Sequence, residues 1–156
     1  MISKKKKIKE GDFFCVPLCE NKYAIGLAAR ENKGVVLAYF FNTLFEDIPN
    51  KIESTLLIKE NVILIEMISS LGIRKGIWKI LDYPTNFIFD RNYWNIPIFF
   101  HKESLLEETY YAVKYDEDLL NSSRYIIRKE ETLNLFEDGL AGYIALENNL
   151  KRKLEI

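Results

Sequence analysis

Between Gly11 and Phe41, three runs of strand-forming residues alternate with short polar turns, and this pattern constrains the fold more than any other feature of the chain. Gly11-Asp12 opens a turn, after which Phe14, Val16 and Leu18 fall on one face of a strand and Phe13, Cys15 and Pro17 on the other. Pro17 has no amide donor and so suits a strand end or a sheet edge. The turn Glu20-Asn21-Lys22 leads into a second strand, Tyr23–Arg30, with Gly26 at its middle, where glycine marks a bend or a close backbone approach. Asn32-Lys33-Gly34 turns again into Val35–Phe41. A meander of this kind begins a small barrel or a strongly bent sheet.

Further along, Asn42–Asn50 reads as an irregular connection. The run Asn61–Leu71 alternates at Ile63, Ile65 and Met67; a short helix fits the same residues, and the β-branched content favours a strand. Gly72 and Gly76 frame a polar turn, and Gly76–Tyr83 reads as a strand with Trp78, Ile80 and Asp82 on one face. Tyr93–Phe100 is extended and interrupted by Pro97, while Glu108–Tyr115 and Ser123–Arg128 flank the turn Asp116–Ser122. The pattern then changes. Leu140, Tyr143, Leu146, Leu150 and Leu154 recur at helical steps, with Asp138 as the expected cap and Lys151, Arg152 and Lys153 at the favourable end of the dipole. The expected class is α+β, mostly β: a small, strongly bent antiparallel sheet or SH3-like barrel with a C-terminal helix packed against it. One domain over 1–156 is expected, with a basic tail over 1–10, a mainly β body over 11–135 and the helix over 136–154.

The chemistry-bearing residues are sparse. Two cysteines and one histidine, His101, fall short of the four ligands of a structural zinc site, and Cys15 and Cys19 lack the two-residue spacing of a redox pair. Cys15 is expected as a buried hydrophobe. His101 has only Phe100 and Lys102 as neighbours, which favours a structural or surface role over that of a general base. No nucleophile elbow, phosphate-binding loop or dinucleotide fingerprint occurs. The expectation is therefore a protein without catalytic residues, metal or cofactor. No apolar run is long enough for a membrane span, and no apolar core follows the basic start, so a cytoplasmic location is expected. The run Lys4–Lys7 reads either as a solvated terminus, the favoured reading, or as a phosphate-binding arm.

Charge is balanced overall at −1 but uneven along the chain. The first ten residues carry a formal +4, and Lys102–Asp118 carries −4, which is either an acidic face for a basic partner or a solvated loop.

The punctuated segments resemble, in order, the immunity protein 26 family, small proteins associated with bacterial polymorphic toxin systems including contact-dependent inhibition. The segments are Gly11-Asp12-Phe13-Phe14, Val16-Pro17-Leu18, Tyr23-Ala24-x-Gly26, Gly76 with Trp78, Pro97, and a final helix beginning at Gly139. The resemblance implies a non-enzymatic antidote that binds the C-terminal domain of a cognate toxin, a nuclease among the candidates, and occludes its active site. Gly11, Asp12, Pro17, Gly26, Gly76, Trp78 and Pro97 then set turns and core. The toxin-binding surface is expected on the acidic region: Glu103, Glu107, Glu108, Asp116, Glu117 and Asp118, with Tyr110 and Tyr111 as aromatic anchors. The competing expectation is a nucleic-acid-binding small β-barrel, which the near-neutral charge disfavours.

Overall fold

A computed structural model describes residues 7–82, 87–104 and 108–156; Lys4, Lys5, Lys6, Tyr83 and Glu107 lie outside them. The opening meander forms as expected: β1 (Phe13–Pro17), β2 (Tyr23–Asn32) and β3 (Val35–Phe41) pair antiparallel in succession. The ambiguous run is strand, β4 (Val62–Ser69), antiparallel to β3. With β5 (Lys79–Leu81) beside β1 and a two-residue β10 (Leu140–Ala141) parallel to β4, these make a six-stranded sheet in the order β10-β4-β3-β2-β1-β5. A second sheet contains β6 (Phe99–Glu103), β7 (Thr109–Tyr115), β8 (Ser122–Ile127) and β9 (Phe136–Glu137), ordered β8-β7-β6-β9 with β9 parallel to β6. The class is α+β and mostly β, as expected. The strands do not close into a barrel; both sheets are open and mixed, because two short late strands add parallel to earlier edges.

Alternation along the first sheet divides the core in two. Phe14 and Val16 of β1, Ala24 and Ala28 of β2, Val36, Ala38 and Phe40 of β3, and Ile80 of β5 face one side, where Trp78, Leu146 and Leu150 cover them. Phe13, Cys15, Ile25, Leu27, Leu37, Tyr39, Phe41 and Leu81 face the other, against Trp94, Phe99 and Val113 of the second layer. The six-stranded sheet is thus buried on both faces. Gly26 is required by this packing, because a Cβ there would lie 2.6 Å from Phe14 Cζ and 2.8 Å from Phe40 Cε1.

Several local expectations are corrected. Residues 71–74 form a short helix, α1 (Leu71–Arg74), where a polar turn was expected. Gly72 lies under the Trp78 indole, and the Ile77 and Trp78 amides donate to its carbonyl, so the expected strand at Gly76 begins only at Lys79. The C-terminal helix is α2 (Tyr143–Lys153), and its cap is Gly142 rather than Asp138. Asp138 instead accepts the Tyr115 hydroxyl at 2.6 Å, while its amide donates to the Phe100 carbonyl. Leu140, expected on the buried helical stripe, is an exposed residue of β10. A two-residue strand is too short to disturb a helical period, which is why the spacing concealed it.

A bulge between Ala28 and Arg30 has the largest consequence for the surface. The extra residue turns Arg30 onto the same side as Leu37, its partner on β3, and so into the layer between the two sheets. There a guanidinium is only 1 % exposed.

Candidate interaction surface

Arg30 is held by groups from three parts of the chain. Its Nη1 donates to the carbonyls of Ala29 and Trp94, at 2.6 and 3.1 Å, and its Nη2 to the Arg91 carbonyl at 3.2 Å and to Glu117 Oε2 at 2.7 Å. Glu10 lies 3.7 Å from Arg30 Nε and accepts the Arg91 Nε at 2.7 Å. Arg91 also reaches Asp118 at 3.3 Å. A buried charge of this kind needs its donors occupied and its charge balanced. These partners balance the charge and occupy both terminal nitrogens, while Nε has Glu10 at ion-pair distance and no hydrogen bond among the described residues. The network ties β2 to the 90–96 connection and to the β7–β8 turn. Sequence reading missed Arg30 because nothing local marks a bulge; an arginine closing an apolar strand was the only available signal.

The expected acidic surface is divided by the fold. Glu103 and Glu108 lie at one end of the β6–β7 ladder, and Asp116, Glu117 and Asp118 at the far end of β7, about 25 Å away at the usual rise per strand residue. Each of these acids also has a partner within the chain. Glu103 faces Arg124 at 3.7 Å, and His101 Nε2 lies 3.9 Å from it. Glu108 is 3.0 Å from Lys102 Nζ and accepts the Tyr110 hydroxyl, and these bonds hold its carboxyl below the usual carboxylate value. Asp116 accepts the Leu120 and Asn121 amides, which lowers its pKa and closes the β7–β8 turn. Glu117 and Asp118 belong to the Arg30–Arg91 network. Glu107 lies outside the described residues. Tyr110 is buried, whereas Tyr111 remains partly exposed.

Beside Tyr111 the fold leaves a feature that charge counting does not show. Among the described residues, three of the four sheet edges are short: β10 and β9 have two residues each and β5 has three. The fourth, β8, has six residues (SSRYII), contains neither proline nor lysine, and is exposed along all but its last residue. Native sheets usually protect edges of this length. Cross-strand register aligns His101, Tyr111 and Ile126 in one row. The same face carries Phe99 and Val113 into the core, so the row continues a core-facing surface outward into solvent. Ile126 is 72 % exposed, and Tyr125, on the opposite face, 51 %.

The remaining chemistry is modest. Cys15 and Cys19 are free thiols, and burial pushes the Cys15 thiol up. Among the described residues no three His, Cys, Asp or Glu side chains gather as a metal site, and no helix is long and apolar enough to cross a membrane. Of the motif positions, Gly11 and Gly76 adopt positive φ, Trp78 is buried, Pro17 ends β1, and Pro97 precedes β6; Lys9 donates to Asp12 Oδ2 at 2.8 Å in the first turn.

A cleft of about 380 Å³ under α2 holds Glu66 of β4, flanked by Phe136, Asn149 and Arg152. Burial raises the Glu66 pKa, opposed by the Asn149 amide that donates to both carboxylate oxygens, at 3.2 and 3.3 Å. The folded state therefore binds this proton more readily than the unfolded chain. The stability from Glu66 is complete below the ordinary glutamate value and is lost as pH rises through the raised one. E66Q, which keeps the Asn149 bond, is expected to gain on the parent protein at neutral pH, with the gain shrinking as pH falls. Paired urea titrations at several pH values measure it.

The arrangement defines an α+β protein, mostly strand, whose second sheet ends in a long open edge. Residues 9–110, more than half of the chain, match the family Immunity protein 26, and the chain belongs to that family. The match covers β1 to the start of β7 with Arg30 and Trp94, and leaves β8 and α2 beyond it. Immunity proteins are generally non-enzymatic, and membership implies a toxin as partner. No curated protein and no solved structure matches the chain.

Proposed function

We propose that this protein binds the C-terminal domain of a cognate bacterial toxin, of a polymorphic or contact-dependent inhibition system, and neutralises it by covering its active site. It performs no chemistry of its own and acts in the cytoplasm of the cell it protects. The observation that carries the surface is the six-residue open edge of β8. A toxin segment added to this edge as a further strand gains main-chain hydrogen bonds, and the row His101, Tyr111, Ile126 reads its side chains. Glu103 and Glu108 border this end and favour a partner with a basic site, as in a nuclease. Glu117 and Asp118 serve the Arg30 network, Asp116 closes the β7–β8 turn, and all three stand apart from the contact.

Co-expression tests both layers of the reading. The C-terminal domain of a toxin encoded beside this protein is expressed with and without it, and the complex is sized on a column. Growth rescue with a one-to-one complex supports the antidote function; an active toxin that is neither rescued nor bound refutes it. I126K is expected to weaken toxin binding by about tenfold or more, as for a residue central to an interface, with little change in melting temperature. Undiminished affinity of I126K would move the interface away from β8.

A further inference from the structure

The helical side of the first sheet carries a basic cleft that the toxin-binding reading does not use. It has a volume of about 600 Å³ and is lined by Lys7, Glu31, Lys33, Gly34, Ser70 and Arg74, with Ile8 at its apolar wall. The β2–β3 turn, with Lys33 and Gly34 both at positive φ, brings Lys33 next to the start of α1. The Ser70 amide donates to the Gly34 carbonyl at 2.8 Å, which locks the turn to the end of β4. Arg74 Nε donates to the buried Ser70 hydroxyl at 3.2 Å. That bond fixes one side of the guanidinium and leaves its two terminal nitrogens without a partner among the described residues. Lys7 and Lys33 likewise take part in no ion pair there. The one acid, Glu31, is held to the turn by the Gly34 amide at 3.2 Å.

Among the described residues, three cations against one carboxylate leave the cleft with a formal +2 in a protein of net −1. Like charges gathered around a cavity repel each other, and a bound anion removes that cost. A carboxylate cancels one unit; a phosphate group carries close to two and offers several acceptor oxygens to a planar fork. We propose that this cleft binds a phosphate-bearing anion, with the Arg74 fork as its principal contact and Lys33 and Lys7 as the flanking charges. This site is independent of the toxin reading and stands or falls separately from it.

Calorimetric titration of the full chain at constant ionic strength tests the proposal, with inorganic phosphate, a 5′-mononucleotide and a short single-stranded oligonucleotide as probes. The charge-removing variant K33Q/R74Q changes two exposed side chains, and K114Q/K129Q removes the same charge elsewhere. Saturable binding of phosphate or mononucleotide is expected, weakened about tenfold or more in K33Q/R74Q and unchanged in K114Q/K129Q. Equal affinity for phosphate and mononucleotide identifies the phosphate group alone as the ligand; a tighter mononucleotide identifies a nucleotide as its source. Equal weakening in both variants overturns the proposal, as does no saturable binding of any probe. Binding confined to the oligonucleotide and collapsing with added salt overturns it too, since that is general attraction to a polyanion.

Discussion

Methionine in place of Arg30 is expected to lower stability by about 3 kcal/mol, near the lower end for breaking a buried charged pair. The guanidinium satisfies the carbonyls of Ala29, Trp94 and Arg91 inside the protein, and methionine leaves all three without their donor. Glu117 is 65 % exposed at its side chain, so it returns to water cheaply once Arg30 is gone, and this holds the loss below that of a wholly buried pair. E117Q removes one charged acceptor and keeps every carbonyl bond, so a smaller loss of about 1 kcal/mol is expected. Urea unfolding followed by tryptophan fluorescence reads both, because Trp94 belongs to the same cluster. An R30M variant as stable as the parent would show that the network does not clamp the second sheet onto the first.

Trp78 is the other large contributor. W78A is expected to cost about 4 kcal/mol, through lost burial and the cavity left behind. The indole is 1 % exposed and stacks on Phe14 with ring centroids 5.9 Å apart. It also fits against Gly72, where a Cβ would come within 2.8 Å of the ring. G72A alone is therefore expected to be overpacked and to lose about 1–3 kcal/mol. Combined with W78A, the added methyl enters the vacated space, so the pair should lose less than the sum of the single losses. A double-mutant cycle in urea measures that coupling, and strict additivity would place Gly72 and Trp78 out of contact.

These two residues differ in how far the sequence revealed them. Trp78 was among the motif positions that the family resemblance assigned to turns and core, and the structure buries it on the Phe14 side. Arg30 carried no such mark, because its burial depends on one extra residue in β2 and on partners 61 to 87 positions distant. The acidic surface was read from a run of charges along the chain. Its described members turned out to occupy opposite ends of β7, each already paired, since a linear count of charge contains neither strand length nor partner. The β8 edge became visible only with the strand order, as an edge is defined by a missing neighbour.

Local alternation and turn chemistry by themselves determined the meander β1 to β3, the mostly β class, the amphipathic C-terminal helix and the family resemblance, and favoured a strand over a helix at β4, because each depends on residues within a few positions of one another. The tertiary structure alone decided the split into two open sheets, the late parallel strands β9 and β10, the buried arginine and the basic cleft beside Arg74. All of these depend on pairings across long stretches of chain. Their free energy comes from the burial and charge compensation of groups that only the folded chain brings together.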